Sequence, residues 1–349
     1  MIFCGYSQLK TAIDVLDASA DFLAKTKRIF LVPTVYMFVQ IIFVLMFLYS
    51  VLAIGANGEI TPKAMQMRDS EFAKGEKTTQ LKVIFLFQLF GLLWVLNFIV
   101  AKTNFITMVA ASTYYFDSNS NKDGSAEVML GVKYAYCNHF GSLAIGSFII
   151  AVIQFIRLVF EYFAEQARKA SGDNAAVKII ICIGDCILRC IEGIVDYISK
   201  NAYAYMAVTG DNFCTSAWNG FLLNLSYGLE FAWANTLAGV FIFLGKLFIV
   251  VLNCFTLLFF MKQRHDLEEV TSVGGPLFVC AISSFFTANL FMGMMDEAVL
   301  ALLTCLCVDR GINDGVPQYG PPTFHDGIDK VPKGPEKKSD KYEKVTEMV

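Results

Sequence analysis

Residues 141–162 read GSLAIGSFIIAVIQFIRLVFEY, apolar except for a few polar groups that fall on one helical face. At 1.5 Å rise per residue a helix of this length reaches roughly 30 Å, the hydrocarbon thickness of a bilayer, and in lipid a helix satisfies its own backbone. The stretch is predicted to cross a membrane. Gln154, Arg157 and Glu161 recur at i, i+3 and i+7 and so point one way. A charge exposed to lipid is costly, so this face is expected to look at protein or water. The alternative is that Arg157 and Glu161 pair i to i+4 near the helix end and snorkel to the interface, with no part in any chemistry.

Composition agrees with a membrane setting. Of the 349 residues 56% are hydrophobic and only 17% charged, with 32 Phe, and the mean hydropathy is +0.53. Soluble domains carry about 25% charged residues, which leaves an integral membrane protein as the economical explanation. A net charge of −3 argues against a nucleic-acid partner. Met1 opens onto IFCGYSQLK, without a basic region followed by an apolar core, so no secretory signal peptide is expected. The ten Cys are scattered, lie mostly in or beside apolar stretches, and show neither disulfide-scaffold pairing nor CxxC zinc spacing. They are expected to be reduced.

Taken in order, 6–25 places Leu9, Ile13, Leu16, Ala20 and Leu23 at spacings of three and four, with Asp14, Asp17 and Asp21 opposite. This predicts a cytosolic amphipathic helix within 1–28, lying on a membrane surface or on a neighbouring helix. Lys25, Lys27 and Arg28 precede the span 29–54, whose start they place in the cytosol by the positive-inside rule. The polar loop 55–80 should lie outside. Residues 81–116 as one helix would reach about 54 Å, long for a single untilted span, and Lys102, Thr103 and Asn104 interrupt them.

Residues 177–198 carry Cys182, Cys186 and Cys190 at i, i+4 spacing among Lys178, Asp185, Arg189, Glu192 and Asp196. That pattern reads as an amphipathic helix and not a span, its thiols either S-palmitoylated or packed as small apolar residues. Spans are expected at 237–261, containing Lys246, and 276–307, containing Asp296 and Glu297. The transmembrane domain is placed at 29–308. The tail 309–349 holds five of the eight Pro and a run of Lys and Glu, and is expected to be disordered and cytosolic. Closing this topology needs one further crossing: either 81–116 is a hairpin of two spans turning near Lys102, or 203–227 crosses. The predicted fold is an all-α polytopic transmembrane helical bundle with about six crossings plus interfacial amphipathic helices.

Several stretches are distinctive: LFGLLWVLNFIVA from Leu89, HFGSLAIGSFIIAVIQFIRLVFEY from His139, NAYAYMAVTGDNFCTSAWNGF from Asn201, FLGKLFIV from Phe243, and Asn313-Asp314-Gly315 after the last span. The most specific is Asn201-Ala202-Tyr203 followed by Gly210 and Phe213-Cys214-x-Ser216-Ala217. In these segments, ordered along nearly the whole chain, the sequence resembles the choline transporter-like family. The resemblance implies a ten-span carrier of choline and related organic cations, with both ends cytosolic, at the plasma membrane or an organelle membrane such as the mitochondrial one. Members of that family are about twice as long. By this resemblance the chain starts at the end of the fourth span, so that it is a truncated gene model, a fragment, or a short form requiring another membrane subunit.

A quaternary ammonium has no proton to donate, so a protein holds it with aromatic faces, each contributing about 0.5 to 2 kcal/mol, and with a nearby carboxylate or amide oxygen. Trp94 with Asn97, Tyr114 with Tyr115, and Trp233 are the candidates at membrane depth or its edge; most other aromatics should pack or form interfacial belts. Asp296 and Glu297, adjacent acids within the final apolar stretch, are costly there unless they face water, a cation or Lys246. They suggest a cation site or a proton relay, against a structural ion pair with Lys246 or acids at the cytosolic edge of a shorter helix. No catalytic constellation, metal cluster or cofactor fingerprint stands out: the three His are far apart, and there is no Gly-x-Ser-x-Gly, Walker loop or His-Glu-x-x-His. A non-enzymatic membrane transporter is the expected function. The competing reading is a non-transporting membrane subunit or scaffold.

Overall fold

A computed structural model of the chain describes residues 2–59, 70–171, 175–263, 273–313 and 316–328. Of the expected polar loop 55–80 the residues 60–69 lie outside the described residues, as does the tail from 329, while 55–59 and 70–80 are helical and not loop. Among these described residues nine α-helices follow in order: α1 (Ile2–Lys25), α2 (Leu31–Glu59), α3 (Ser70–Asp117), α4 (Val128–Lys133), α5 (Phe140–Ser171), α6 (Ala175–Thr209), α7 (Phe213–Gln263), α8 (Gly274–Ile312) and α9 (Pro322–Ile328). A 3-10 turn, Lys27–Phe30, links α1 to α2, and a π turn, Tyr134–Asn138, follows α4. No β-strand forms among the described residues, so the all-α polytopic prediction stands.

Among the described residues five segments are long and apolar enough to cross a membrane: Lys27–Ile54, Gln80–Asp117, Phe140–Ala170, Ala232–Gln263 and Gly274–Ile312. That is one fewer than the six crossings the topology asks for, and neither expected remedy is what the chain adopts. Residues 81–116 form no hairpin, because the polar interruption finds local partners without leaving the helix. Thr103 Oγ1 donates to the Ile99 carbonyl at 3.0 Å, and the Lys102 ammonium lies 4.3 Å from the Phe98 ring centroid and 4.6 Å from that of Phe140. With no Pro or Gly nearby to break it, α3 runs straight through. Residues 203–227 do not cross as one helix either. Gly210, at φ 71°, ends α6, and Asn212 caps α7 by accepting the Thr215 N–H at 3.0 Å.

The chain divides into two compact units. The first comprises the described parts of 1–33, 104–138 and 201–349. In it α1 packs on α7, α8 and α9, so of its two expected resting places it takes the neighbouring helices. Its buried residues are Ala12, Val15, Ala18, Ser19, Phe22 and Leu23; Leu23 is of the predicted stripe, whereas Ile13 of that stripe is exposed. Helices α7 and α8 are antiparallel: Gly245 meets Met292 and Lys246 donates to Asn289 at 2.8 Å. The expected disordered tail is folded as far as residue 328. Pro322 opens α9, where its missing N–H costs nothing, and Phe324 is fully buried against Tyr115, ring centroids 5.9 Å apart.

The second unit comprises the described parts of 34–103 and 139–200. Along α3 and α5 the ring pairs Phe90–Phe155, Trp94–Phe148 and Phe98–Phe140 lie at 5.5, 5.3 and 5.0 Å. Numbers rise on one helix as they fall on the other, so the two are antiparallel.

Candidate functional site

In the first unit α3 and α8 are joined by a polar seam. Asn104 Nδ2 donates to Glu297 Oε1 at 3.0 Å, Cys305 Sγ to Ser112 Oγ at 3.4 Å, and Tyr115 OH to Asp309 Oδ2 at 3.0 Å. The three pairs are separated in sequence by 193, 193 and 194 residues, so the helices run parallel. Glu297 is 6% exposed and Asp309 1%. Asp309 also accepts from Asn313 Nδ2 at 2.7 Å and from the backbone N–H groups of Gln318 and Tyr319 at 3.1 and 3.0 Å. That many donors make a buried carboxylate tolerable.

The expected aromatic pair Tyr114 and Tyr115 is fully buried, and both hydroxyls are engaged. Tyr115 holds Asp309, while Tyr114 donates to Asp123 Oδ1 at 3.2 Å. Asp123 in turn pairs with Lys25 at the end of α1, and this hydrogen bond raises the Lys25 pKa. Asp296 is half-buried beside Glu297. The weighed ion pair with Lys246 does not form, since Lys246 turns to Asn289 and Glu297 meets Asn104.

A cavity of about 390 Å³ opens between α1, α7 and α8, lined by Ile13, Leu16, Asp17 and Ala20 and by Phe241, Ile242, Met292 and Met295. The predicted apolar stripe of α1 therefore faces this cavity in part. Its wall is mostly apolar, Asp17 being the one charged residue among the eight that line it. Sequence reasoning missed Asn104, treated as an interruption when it is the partner of Glu297.

In the second unit Trp94 donates its indole N–H to the Ala144 carbonyl at 3.1 Å and is 38% exposed. Asn97 Nδ2 reaches Gln154 Oε1 at 2.7 Å and the Leu93 carbonyl at 2.8 Å. Arg157 pairs with Glu161 at 3.1 Å and with Glu192 at 2.6 Å. The polar face of α5 thus looks at protein, as its spacing predicts. The six expected site residues fall into two groups: Tyr114, Tyr115, Asp296 and Glu297 in one unit, Trp94 and Asn97 in the other. Trp233 is 51% exposed on α7.

A bundle of long apolar helices with paired polar groups inside defines an integral membrane protein of the polytopic helical class. The family model described as plasma-membrane choline transporter matches residues 1–311, and the chain belongs to that family. Choline transporter-like protein 2 of Dictyostelium discoideum is 27% identical over 315 residues, covering 90% of this chain and 48% of the relative. Choline transporter-like protein 1 of Mus musculus is 28% identical over 280 residues, 80% of this chain and 41% of the relative. Choline transporter-like protein 5 of Xenopus tropicalis is 32% identical over 254 residues, 69% and 35% respectively. The chain spans less than half the length of these relatives.

Proposed function

We propose that this chain serves in transport of choline or a related quaternary ammonium across the plasma membrane. The observation that carries the reading is the acid pair Asp296 and Glu297, well inside α8, one of them buried, in a chain of the choline transporter family. A buried carboxylate in an apolar helix is costly, and a passing cation is a recurrent reason to keep one. Trp94 and Asn97, in the other unit, are a separate candidate, a partly exposed ring beside an amide. Tyr114 and Tyr115, in the same unit as the acids, are buried with their hydroxyls committed to Asp123 and Asp309.

The test is uptake of labelled choline by cells expressing the full chain, with surface expression measured alongside. Asp296→Asn and Glu297→Gln are each expected to lower uptake at least tenfold, and Trp94→Ala several-fold. Undiminished uptake in all three variants discards the site. No choline uptake or binding by a stably expressed chain found in assembly with another membrane protein favours the subunit or scaffold reading.

A further inference from the structure

Cysteine is small and apolar enough to sit in a membrane helix as packing, and its redox chemistry depends on whether a second sulfur stands within reach. Cys182, Cys186 and Cys190 share one helix, as do Cys305 and Cys307. Cys254 of α7 and Cys280 of α8 belong to two helices of the first compact unit. Those helices are antiparallel neighbours, held in register where Lys246 donates to Asn289 at 2.8 Å and where Gly245 meets Met292. From Lys246 to Cys254 α7 advances eight residues, and from Asn289 back to Cys280 α8 covers nine. At 1.5 Å per residue these are climbs of about 12 and about 13.5 Å, so the two cysteines stand at nearly one height.

Burial gives the direction in which they face. Through 251–260 of α7 every residue is exposed except Cys254 and Leu257, and through 278–287 of α8 every residue is exposed except Cys280, Ala281 and Ser284. Each cysteine therefore lies on the covered strip of its helix. The thiols meet there. That of Cys254 hydrogen-bonds that of Cys280, whose Sγ stands 3.9 Å from Ser284 Oγ. Both cysteines are free thiols in this structure.

We infer that Cys254 and Cys280 form a redox-sensitive dithiol, which hydrogen peroxide oxidises to a disulfide that staples α7 to α8. A disulfide needs Cβ atoms within about 4.5 Å and sulfurs about 2.05 Å apart; thiols already in contact between two packed helices approach this by side-chain rotation. The chemistry balances in two steps. One sulfur attacks a peroxide oxygen, the O–O bond breaks, and the thiol proton leaves with the departing oxygen as water, giving a sulfenic acid. The second sulfur then displaces the sulfenic oxygen, which leaves as water with the second thiol proton. Two thiols give up two electrons and two protons, and the peroxide becomes two waters. Ser284 Oγ, placed to donate to the Cys280 sulfur as it loses its proton, marks Cys280 as the attacking thiol. Peroxide is small and uncharged, so it enters an apolar region that a charged oxidant would avoid. The cross-link closes the chain between the two cysteines into a loop and restricts the unfolded state, so the oxidised protein should melt higher.

The test uses the full chain in detergent, exposed to hydrogen peroxide until Met129, 79% exposed, is converted to its sulfoxide. The protein is then denatured, alkylated with N-ethylmaleimide and cut with chymotrypsin without reduction. Mass spectrometry should find the Cys254 peptide joined to the Cys280 peptide at two hydrogen masses below their sum. The linked species should vanish with dithiothreitol and be missing from Cys280→Ser. Recovery of the two peptides as alkylated thiols, as unlinked sulfonic acids, or joined to other cysteines overturns the inference. Tm gives a second reading: peroxide should raise it in the unaltered chain relative to Cys254→Ser treated alike, and equal shifts in the two overturn the staple.

Discussion

Two residues carry consequences out of proportion to their size. Gly124 lies where a Cβ would stand 2.6 Å from the Tyr114 carbonyl oxygen and 2.7 Å from backbone atoms of Asp117 and Ser118. Backbone cannot yield as a flexible side chain does, so Gly124→Ala is expected to destabilise by about 1–3 kcal/mol or more, read as a lower Tm in detergent. His139, just ahead of α5, is buried, and burial holds its pKa below the ordinary histidine value. The unfolded chain then binds the proton first as pH falls. Stability from this group is whole above about pH 6.5 and declines below it. Between pH 7.5 and 5.5 the Tm should fall less steeply in His139→Gln than in the unaltered chain, and equal slopes would remove His139 as a source. At this scale sequence gives chemistry but not pairing: Asp296 and Glu297 stand out as costly acids, whereas Asn104, which meets one of them, does not.

Among the elements, the hairpin of α6 and α7 explains why its sequence is so specific. Gly210 supplies the left-handed residue that ends α6. Asn224 Nδ2 donates to Asn201 Oδ1 at 2.8 Å, a Cβ on Gly220 would stand 3.1 Å from the Asn201 carbonyl oxygen, and the Tyr203 and Phe213 rings meet at a tilt with centroids 5.7 Å apart. The Asn201-Ala202-Tyr203, Gly210 and Phe213 pattern is thus a folding signature. Gly210→Ala should cost about 1–2 kcal/mol, read as a lower Tm in detergent, and an unchanged Tm would remove the left-handed turn as a source of stability. The helices were legible from periodicity, including the thiol-bearing pattern of 177–198. Their lengths were not, because Lys102 and Thr103 look like breakers until the Phe98 and Phe140 rings and the Ile99 carbonyl accommodate them.

For the molecule as a whole, an all-α membrane bundle follows from composition and a single 22-residue stretch, since lipid permits few other solutions. What composition hides is the sorting of charges. A hydropathy average treats Arg157 and Glu192 as two penalties, whereas the fold makes them one pair. The parallel seam of α3 and α8 has a mechanical corollary. Its three links share one offset, so sliding α8 by a single turn, about 5.4 Å, would break all of them together and bring Glu297 opposite other side chains of α3. Such a joint has notches and no glide. Along this seam α8 and the stretch 104–115 of α3 would therefore move together, and any displacement within the unit would fall on the contacts around them.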